Sequence, residues 1–300
     1  MSLWLQEVWL RRGPWAWALR PFSALYAALV RLRAAVYDRG WARSHVLPVP
    51  VVVVGNLIAG GAGKTPTVMA IVAAQRACGR SPGVVSRGHG RRSDELVDVQ
   101  PDTSVDDCGD EPLLMRLRTG VPVVVGRDRV AAARELLRRH PQVDLIVSDD
   151  GLQHRRLARQ AEVIVFDERG VGNGWLLPAG PLREAMPTHV SPRSLVLYNA
   201  PAPTTSLSGH LAQRRLAGAL PMADWVTGAA ASMPVLQALR GRRVVAAAGV
   251  ARPGRFFGML EAAGLQIDRL PLPDHHGYET LPWPHDTPDV VLTEKDAVKL

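Results

Sequence analysis

Lysine and cysteine are nearly missing from this chain, and aromatic residues are few. Three lysines stand among 36 basic residues, so the net charge of +8 is almost wholly arginine. Arginine's planar fork suits bidentate contact with phosphate. Charge alone does not separate nucleic acid, anionic lipid and a phosphorylated substrate. Two cysteines, Cys78 and Cys108, exclude a disulfide framework and a cysteine metal cage, and fit a reducing compartment. Each reads as a small buried hydrophobe. Hydrophobic residues at 47% and charged residues at 21% exclude extended disorder. A length of 300 residues suits about two domains.

Most of the tryptophan sits in one place. Trp4, Trp9, Trp15, Trp17 and Trp41 are five of the eight tryptophans. In the same segment Leu25, Leu29, Leu32 and Val36 recur at the spacing of one helix face. Arg11, Arg12, Arg20, Arg31, Arg33 and Arg39 punctuate it. The longest uncharged run there, 21–30, is about half of a spanning helix. No clear small-residue cleavage site marks a signal peptide. Tryptophan and arginine on an amphipathic helix suit the membrane–water interface. The alternative is a helix packed on the domain with its aromatics in the core.

At Val51-Val52-Val53-Val54 four β-branched residues predict a buried strand. Gly55-Asn56-Leu57-Ile58-Ala59-Gly60-Gly61-Ala62-Gly63-Lys64-Thr65-Pro66 follows, and then an apolar helical pattern. Strand, glycine loop and helix make a phosphate loop. Glycines let backbone N–H groups turn onto phosphate oxygens, and the helix N-terminus adds partial positive charge. Lys64 would reach the β- and γ-phosphates, and the Thr65 hydroxyl would ligate Mg²⁺. Residues 58–65 are thus the expected nucleotide-binding stretch: Ile58, Ala59, Gly60, Gly61, Ala62, Gly63, Lys64 and Thr65. The match is imperfect, since the strict pattern wants glycine where Ile58 stands. A glycine turn that merely caps a helix would leave Gly-Lys-Thr idle.

Beyond the loop, short apolar strands alternate with helical stretches. Strands are expected at 83–86, 122–125, 145–148 and 163–166, with helices around 110–118 and 127–140. A second alternating region predicts strands at 194–198, 243–248, 266–270 and 290–293, and helices near 207–217 and 253–263. The fold class is therefore α/β: a P-loop NTPase core with a mostly parallel sheet and helices on both faces, plus a second, smaller α/β domain. The expected division is a membrane-docking segment at 1–42, a nucleotide-binding domain at 43–167 and a second domain at 168–300.

Several clusters carry possible chemistry. Leu145-Ile146-Val147-Ser148-Asp149-Asp150 is an apolar strand ending in two carboxylates, where a Walker-B aspartate would hold Mg²⁺. Gln153 and His154 could join the metal shell or order the turn. Asp110 and Glu111 precede a helix. They read as helix-cap residues by spacing alone, or as a general base. Arg87 with its glycines and neighbouring arginines suits an anion, or is a solvated basic loop. Asp274-His275-His276 can orient an imidazole, or is a surface loop. The long loop through 172–184 brings Arg183 and Glu184 within possible reach of a phosphate–metal centre.

Taken in order, these pieces resemble the tetraacyldisaccharide 4′-kinase family, the lipid A 4′-kinases. The matching segments are GNLIAGGAGKTP at 55–66, SRGHG at 86–90, GDEP at 109–112, DDGLQH at 149–154, GNGWLLPAGPLRE at 172–184, PDHH at 273–276 and TEKDAVK at 293–299. The resemblance implies two α/β domains and transfer of the γ-phosphate of ATP to the 4′-hydroxyl of a tetraacylated glucosamine disaccharide 1-phosphate, giving lipid IVA. It implies ATP and Mg²⁺ as cofactors and a glycolipid substrate. It also implies peripheral, monotopic residence at the cytoplasmic face of a Gram-negative inner membrane. On this reading Asp110 is the catalytic base, His275 its partner and Lys64 the phosphate contact. Thr65, Asp149, Asp150, Gln153 and Glu111 are the metal-site candidates. Arg87, Arg129, Arg183 and Glu184 complete the site. No nucleic-acid partner is expected, and the chain is expected to be a monomer. Ile58 stands where many members carry threonine, which removes a hydroxyl contact, and His89 replaces a commoner tyrosine. Relatives usually run on past the position of Leu300, so a closing helix is expected beyond it.

Two rival readings stand beside the kinase. One is a membrane-associated P-loop ATPase or GTPase switch without lipid kinase activity. Lys295-Asp296 superficially suggests a guanine-reading element, at the wrong spacing. The other is a nucleic-acid module, which lacks any aromatic-basic motif.

Overall fold

The computed structural model describes residues 3–300, so the first two positions of the N-terminal segment lie outside the described residues. The chain forms two compact units. One comprises 1–87 and 121–213; the other comprises 88–120 and 214–300.

In the first unit seven strands lie side by side. They are β1 (Val51–Gly55), β2 (Pro82–Ser86), β4 (Val123–Val125), β5 (Leu145–Asp149), β6 (Ala161–Asp167), β7 (Ser194–Asn199) and β8 (His210–Leu211). A two-residue strand, β3 (Val97–Asp98), belongs to the other unit. The order is β4-β2-β5-β1-β6-β7-β8, and every pairing is parallel. Parallel sheets are covered on both faces, which is why their strands read as unbroken apolar runs. Val51, Val53, Ile146, Val85 and Phe166 form one core with Leu136 from the helix Arg129–Arg139. β1 pairs with β5 on one side and β6 on the other. Its following loop therefore opens at the carboxyl edge of the sheet, the usual ligand edge of this topology.

The second unit holds a parallel three-stranded sheet, β10 (Gln266–Pro271), β9 (Arg243–Ala248) and β11 (Val290–Leu292), in that order. Val244, Ala246, Ala248, Phe257, Leu260 and Leu265 form its core. The helix Asp110–Thr119 also belongs here, with Asp110 and Glu111 in its first turn and Arg116 and Arg118 in its last, the favourable sense for the helix dipole.

The sheet and most elements follow the sequence pattern, with three differences. The helix expected near 207–217 is absent; β8 lies there, and short helices come later at Met222–Val226 and Met233–Gln237. The apolar spacing at 207–217 is too sparse to bury a helix face. Cys78 is exposed at the end of the helix Lys64–Ala77, whereas Cys108 is buried. The units also divide differently from the stretches 43–167 and 168–300. β6 pairs with β7 along its whole length, which carries the first unit on to residue 213, while 88–120 goes with the carboxyl-terminal part.

The N-terminal segment is three helices, Leu3–Val8, Pro14–Ala18 and Arg20–Asp38. Among the described residues no helix is long and apolar enough to cross a membrane. Its aromatics divide between burial and exposure. Trp9 is buried and its Nε1 donates to the Pro178 carbonyl (2.8 Å), whereas Trp4, Trp15, Trp17, Phe22, Leu25, Leu29 and Leu32 are exposed. The inner side docks on the loop 172–184. Ser23 Oγ donates to the Leu176 carbonyl, Tyr26 Oη to that of Arg183, and Asn173 Nδ2 to those of Val8 and Ala179. Arg12 and Arg20 lie over the Trp175 ring. A Cβ on Gly180 would fall 2.2 Å from Asn173 Oδ1 and 2.3 Å from the Trp175 carbonyl oxygen. Gly180→Ala is therefore expected to destabilise the protein by about 1–3 kcal/mol. Urea unfolding followed by tryptophan fluorescence measures this.

Candidate active site

The first cluster starts where β1 ends. Gly60 and Gly63 take φ of 91° and 93°, a left-handed conformation that only glycine adopts without strain. The loop between them is tied down by its carbonyls. Asn56 Nδ2 donates to Gly60 O (3.0 Å), and Asn199 Nδ2 to Ala62 O (3.1 Å). Arg169 donates to Ala59 O (3.1 Å) and Gly61 O (2.9 Å), and is itself held by Asp167. Carbonyls bonded to the protein leave backbone N–H groups for an anion. The helix Lys64–Ala77 begins directly after Gly63, which adds its N-terminal donors.

Around this loop runs a polar ring. Lys64 Nζ lies 3.3 Å from Asn56 Oδ1 and 3.5 Å from Asp150 Oδ1. Asp150 accepts from Arg183 Nη1 on both oxygens, at 2.9 and 3.1 Å. Gln153 donates to Glu184 Oε1 (2.8 Å) and accepts from Arg183. Asp149 ends β5, buried, with its Oδ2 accepting from Ser86 Oγ (3.0 Å) at the end of β2. Burial pushes the Asp150 carboxyl up, but Lys64 and Arg183 outweigh it and hold it below the usual carboxylate range. His154 is driven down to about 4 by burial and then by Arg129, so it is neutral at physiological pH.

The second cluster lies in the other unit, where the helix Asp110–Thr119 begins. Gly109 takes φ 90°, and a Cβ there would meet His89 O at 2.9 Å, so glycine is required to bring Asp110 into place. Asp110 is 3% exposed. Its Oδ1 accepts from the Glu111 N–H and its Oδ2 lies 2.8 Å from His275 Nδ1. His275 sits on the loop after β10 at φ 62°, fixed by its N–H to Gly249 O. The His89 ring meets the His275 ring edge-on at 5.2 Å. Lys295 and Lys299 each place Nζ 3.9 Å from Asp110 Oδ2. Burial alone would raise the Asp110 carboxyl; the His275 hydrogen bond and Lys295 reverse this and depress it. The same hydrogen bond raises the His275 imidazole, against burial and Lys295.

A family model described as tetraacyldisaccharide-1-P 4′-kinase matches residues 15–300. The tetraacyldisaccharide 4′-kinase of Methylibium petroleiphilum is 58% identical, over 100% of this chain and 84% of that protein. The chain belongs to the tetraacyldisaccharide-1-P 4′-kinase family. A second member of this kinase family, from Leptothrix cholodnii, is 56% identical over 99% of this chain and 85% of that protein. The crystal structure of LpxK from Aquifex aeolicus in complex with ATP is similar at 28% identity, with a TM-score of 0.79 over 95% of this chain and 90% of that one.

The residues singled out from the kinase-family motifs fall into distinct places. Lys64, Asp150, Gln153, Arg183 and Glu184 come together, with Thr65 in the first helical turn beside them. Asp110 and His275 form a hydrogen-bonded pair. Ile58, expected in the nucleotide-binding stretch, turns its side chain into the core and bridges to Leu182. An apolar residue fits that position, which accounts for isoleucine there. Arg129 is buried, donating to the carbonyls of Gly126 and Asp149. Arg87 is exposed just past β2. Glu111, expected at the metal, is ion-paired with Lys295 at 3.3 Å. Reading the sequence missed Asn56, Arg169, Asn199 and Ser86, whose roles are to hold backbone or another side chain. It also missed Lys295 and Lys299, which the scarcity of lysine could have flagged.

The two shifts set a pH window. Asp110, depressed on folding, contributes stability above its ordinary value of 3.8, lost as pH falls through the lowered pKa. His275, raised on folding, contributes fully below its ordinary value of 6.5, lost as pH rises through the raised pKa. His275→Gln is therefore expected to flatten the alkaline fall in Tm, measured by thermal unfolding from about pH 5 to about pH 9.

Proposed function

We propose that this chain transfers the γ-phosphate of ATP to the 4′-hydroxyl of a tetraacylated glucosamine disaccharide 1-phosphate, at a membrane surface. One observation carries the reading furthest. The chain that presents a lysine-bearing phosphate loop also holds a buried carboxylate, Asp110, against an imidazole at 2.8 Å. A hydrolytic switch needs the loop but has no use for that pair.

Phosphoryl transfer of this kind has a loose transition state, so the protein's tasks are positioning and charge neutralisation. The ring around the loop suits the first. Asn56 and Asp150 hold the Lys64 ammonium, which would meet β- and γ-phosphate oxygens, and Arg183 adds a second positive group. The donor set fits Mg²⁺, which takes hard oxygens, keeps several waters and needs only one or two protein ligands beside the phosphates. Among the described residues no group of three His, Cys, Asp or Glu side chains could cage a metal alone, so the Thr65 hydroxyl and Asp149 would hold it. Asp150 is engaged by Lys64 and Arg183 and serves the ring. Mg²⁺, when bound, neutralises charge on the phosphates. Asp110 orients the sugar hydroxyl and receives its proton as the new O–P bond forms. His275 holds that carboxylate in line.

The exposed Phe22, Leu25, Leu29 and Leu32, flanked by exposed tryptophans and arginines, make an apolar face along the helix Arg20–Asp38. It supports peripheral docking at a membrane surface, which on the strength of the family we take to be the cytoplasmic face of a Gram-negative inner membrane. The switch alternative loses its one sequence feature. Asp296 is fully buried and bound to Thr293 Oγ1 and the Gly249 N–H, so it cannot read a base.

The test is label transfer from γ-labelled ATP to the tetraacyl disaccharide 1-phosphate in mild detergent. Unaltered protein is expected to label the lipid, and Asp110→Ala to lower kcat by about 10²–10⁴-fold. ATP hydrolysis without labelled lipid overturns the reading. Leu25→Gln with Leu29→Gln and Leu32→Gln is expected to lower co-sedimentation with anionic vesicles at least about tenfold. Detergent activity would stay near normal.

A further inference from the structure

The chain has 33 arginines and three lysines. Lys64 belongs to the phosphate loop. The other two, Lys295 and Lys299, both face Asp110. Elsewhere arginine meets the carboxylates, as in Arg243 with Asp268 and Arg269 with Glu261. The two cations differ in kind. A guanidinium grips one carboxylate in a planar fork, whereas an ammonium is compact and its three donors turn to several acceptors at once.

Lys295 uses that property. Its Nζ lies 3.1 Å from Asp274 Oδ1, 3.3 Å from Glu111 Oε1, 3.9 Å from Asp110 Oδ2 and 3.5 Å from His275 Nε2. These groups come from the start of the helix Asp110–Thr119 and from the loop after β10, while Lys295 itself rides on the short helix Glu294–Ala297. Three stretches distant in sequence are pinned at one atom. Its donor beside Nε2 also favours the neutral tautomer in which His275 Nδ1–H donates to Asp110. Lys299 has a different surrounding. It is 5% exposed, bonded to buried Asp296 at 3.1 Å and set against the Tyr278 ring, so it belongs to the packing of the unit. Lys295 keeps some exposure, at 17%.

We propose that Lys295 is a positioning residue of the acceptor site, holding the Asp110 carboxylate and the His275 loop in the arrangement that receives the sugar hydroxyl. This rests on the kinase reading above. Without the ammonium, Asp110, Glu111 and Asp274 repel one another, and the Asp110–His275 bond loosens. The loss falls on the chemical step and leaves the phosphate loop unaltered.

The test is a double-mutant cycle in the lipid-labelling assay, with Tm measured for each protein. Lys295→Met is expected to lower kcat by about 30–100-fold, with the KM for ATP within about threefold of the unaltered value. Lys295→Arg, which restores charge without the compact geometry, is expected to recover about tenfold of that loss. In an Asp110→Ala background, Lys295→Met is expected to have no further effect on kcat, since it acts through Asp110. A Lys295→Met protein with unaltered kcat overturns the inference, and so do losses that multiply in the double variant. Where Lys295→Met does not fold, the cycle runs with Lys295→Arg. Full activity in that variant then assigns the lysine to folding alone and also overturns the inference. Absence of lipid labelling by the unaltered chain overturns the kinase reading, and the lysine's role with it.

Discussion

A glycine loop that must offer its N–H groups to a ligand cannot hold itself in shape, and in this protein its carbonyls are clasped from outside. Asn56, Arg169 and Asn199 take four successive carbonyls, from Ala59 to Ala62. The clasp comes from β-strand ends: Asn56 follows β1, Asn199 closes β7, and Arg169 is anchored by Asp167 at the end of β6. The order of the parallel sheet thus dictates which side chains reach the loop. Register matters as much as composition, since β1 must sit between β5 and β6 for Asp149, Asp150 and the clasp to surround one turn. Because Asn56, Asp149, Asp167 and Asn199 are almost fully buried, each must be satisfied, and a missing partner would leave a desolvated donor or acceptor.

The second cluster solves a different problem. A carboxylate buried to the extent of Asp110 is unfavourable as a charge unless cations and hydrogen bonds surround it. Here the surroundings are supplied by three separated chain segments, and glycines at 109 and 249 leave room for them. A Cβ on Gly249 would fall 2.7 Å from Asp296 Oδ1, the carboxylate that anchors Lys299. The balance keeps Asp110 ionised while shielding it from water, which suits a group that orients a hydroxyl.

Much of this was legible in the chain. The valine run, the glycine loop and the Asp149-Asp150 strand end announce themselves because local chemistry dictates them: β-branched residues for a buried strand, glycine for positive φ, carboxylates at a sheet edge. The kinase motifs placed Asp110 and His275 in one family pattern, although spacing alone could not distinguish Asp110 from a helix cap. The clasp was invisible, since Asn56, Arg169 and Asn199 act on backbone atoms brought near only by sheet order. The division into units was also hidden. The long loop through 172–184 shows nothing in sequence of its seat, yet it is pinned to the N-terminal helices through Asn173, Trp175 and Pro178. That the Ile58 side chain fills the core was hidden too, since a motif position says nothing of where its side chain packs.

The docking of the N-terminal helices has a consequence for the order in which the chain comes into being. Trp9 finds Pro178 across 169 residues, and Tyr26 finds Arg183 across 157. A ribosome would therefore finish the amphipathic helices long before it made the loop that seats them. Loop-closure entropy over such separations is slow to be recovered. During synthesis Trp9, Ser23 and Tyr26 on the inner side stand without the loop that receives their hydrogen bonds. The contacts that hold the mature loop are thus among the last to form, and the inner side of the segment waits for them through more than half of the chain's synthesis.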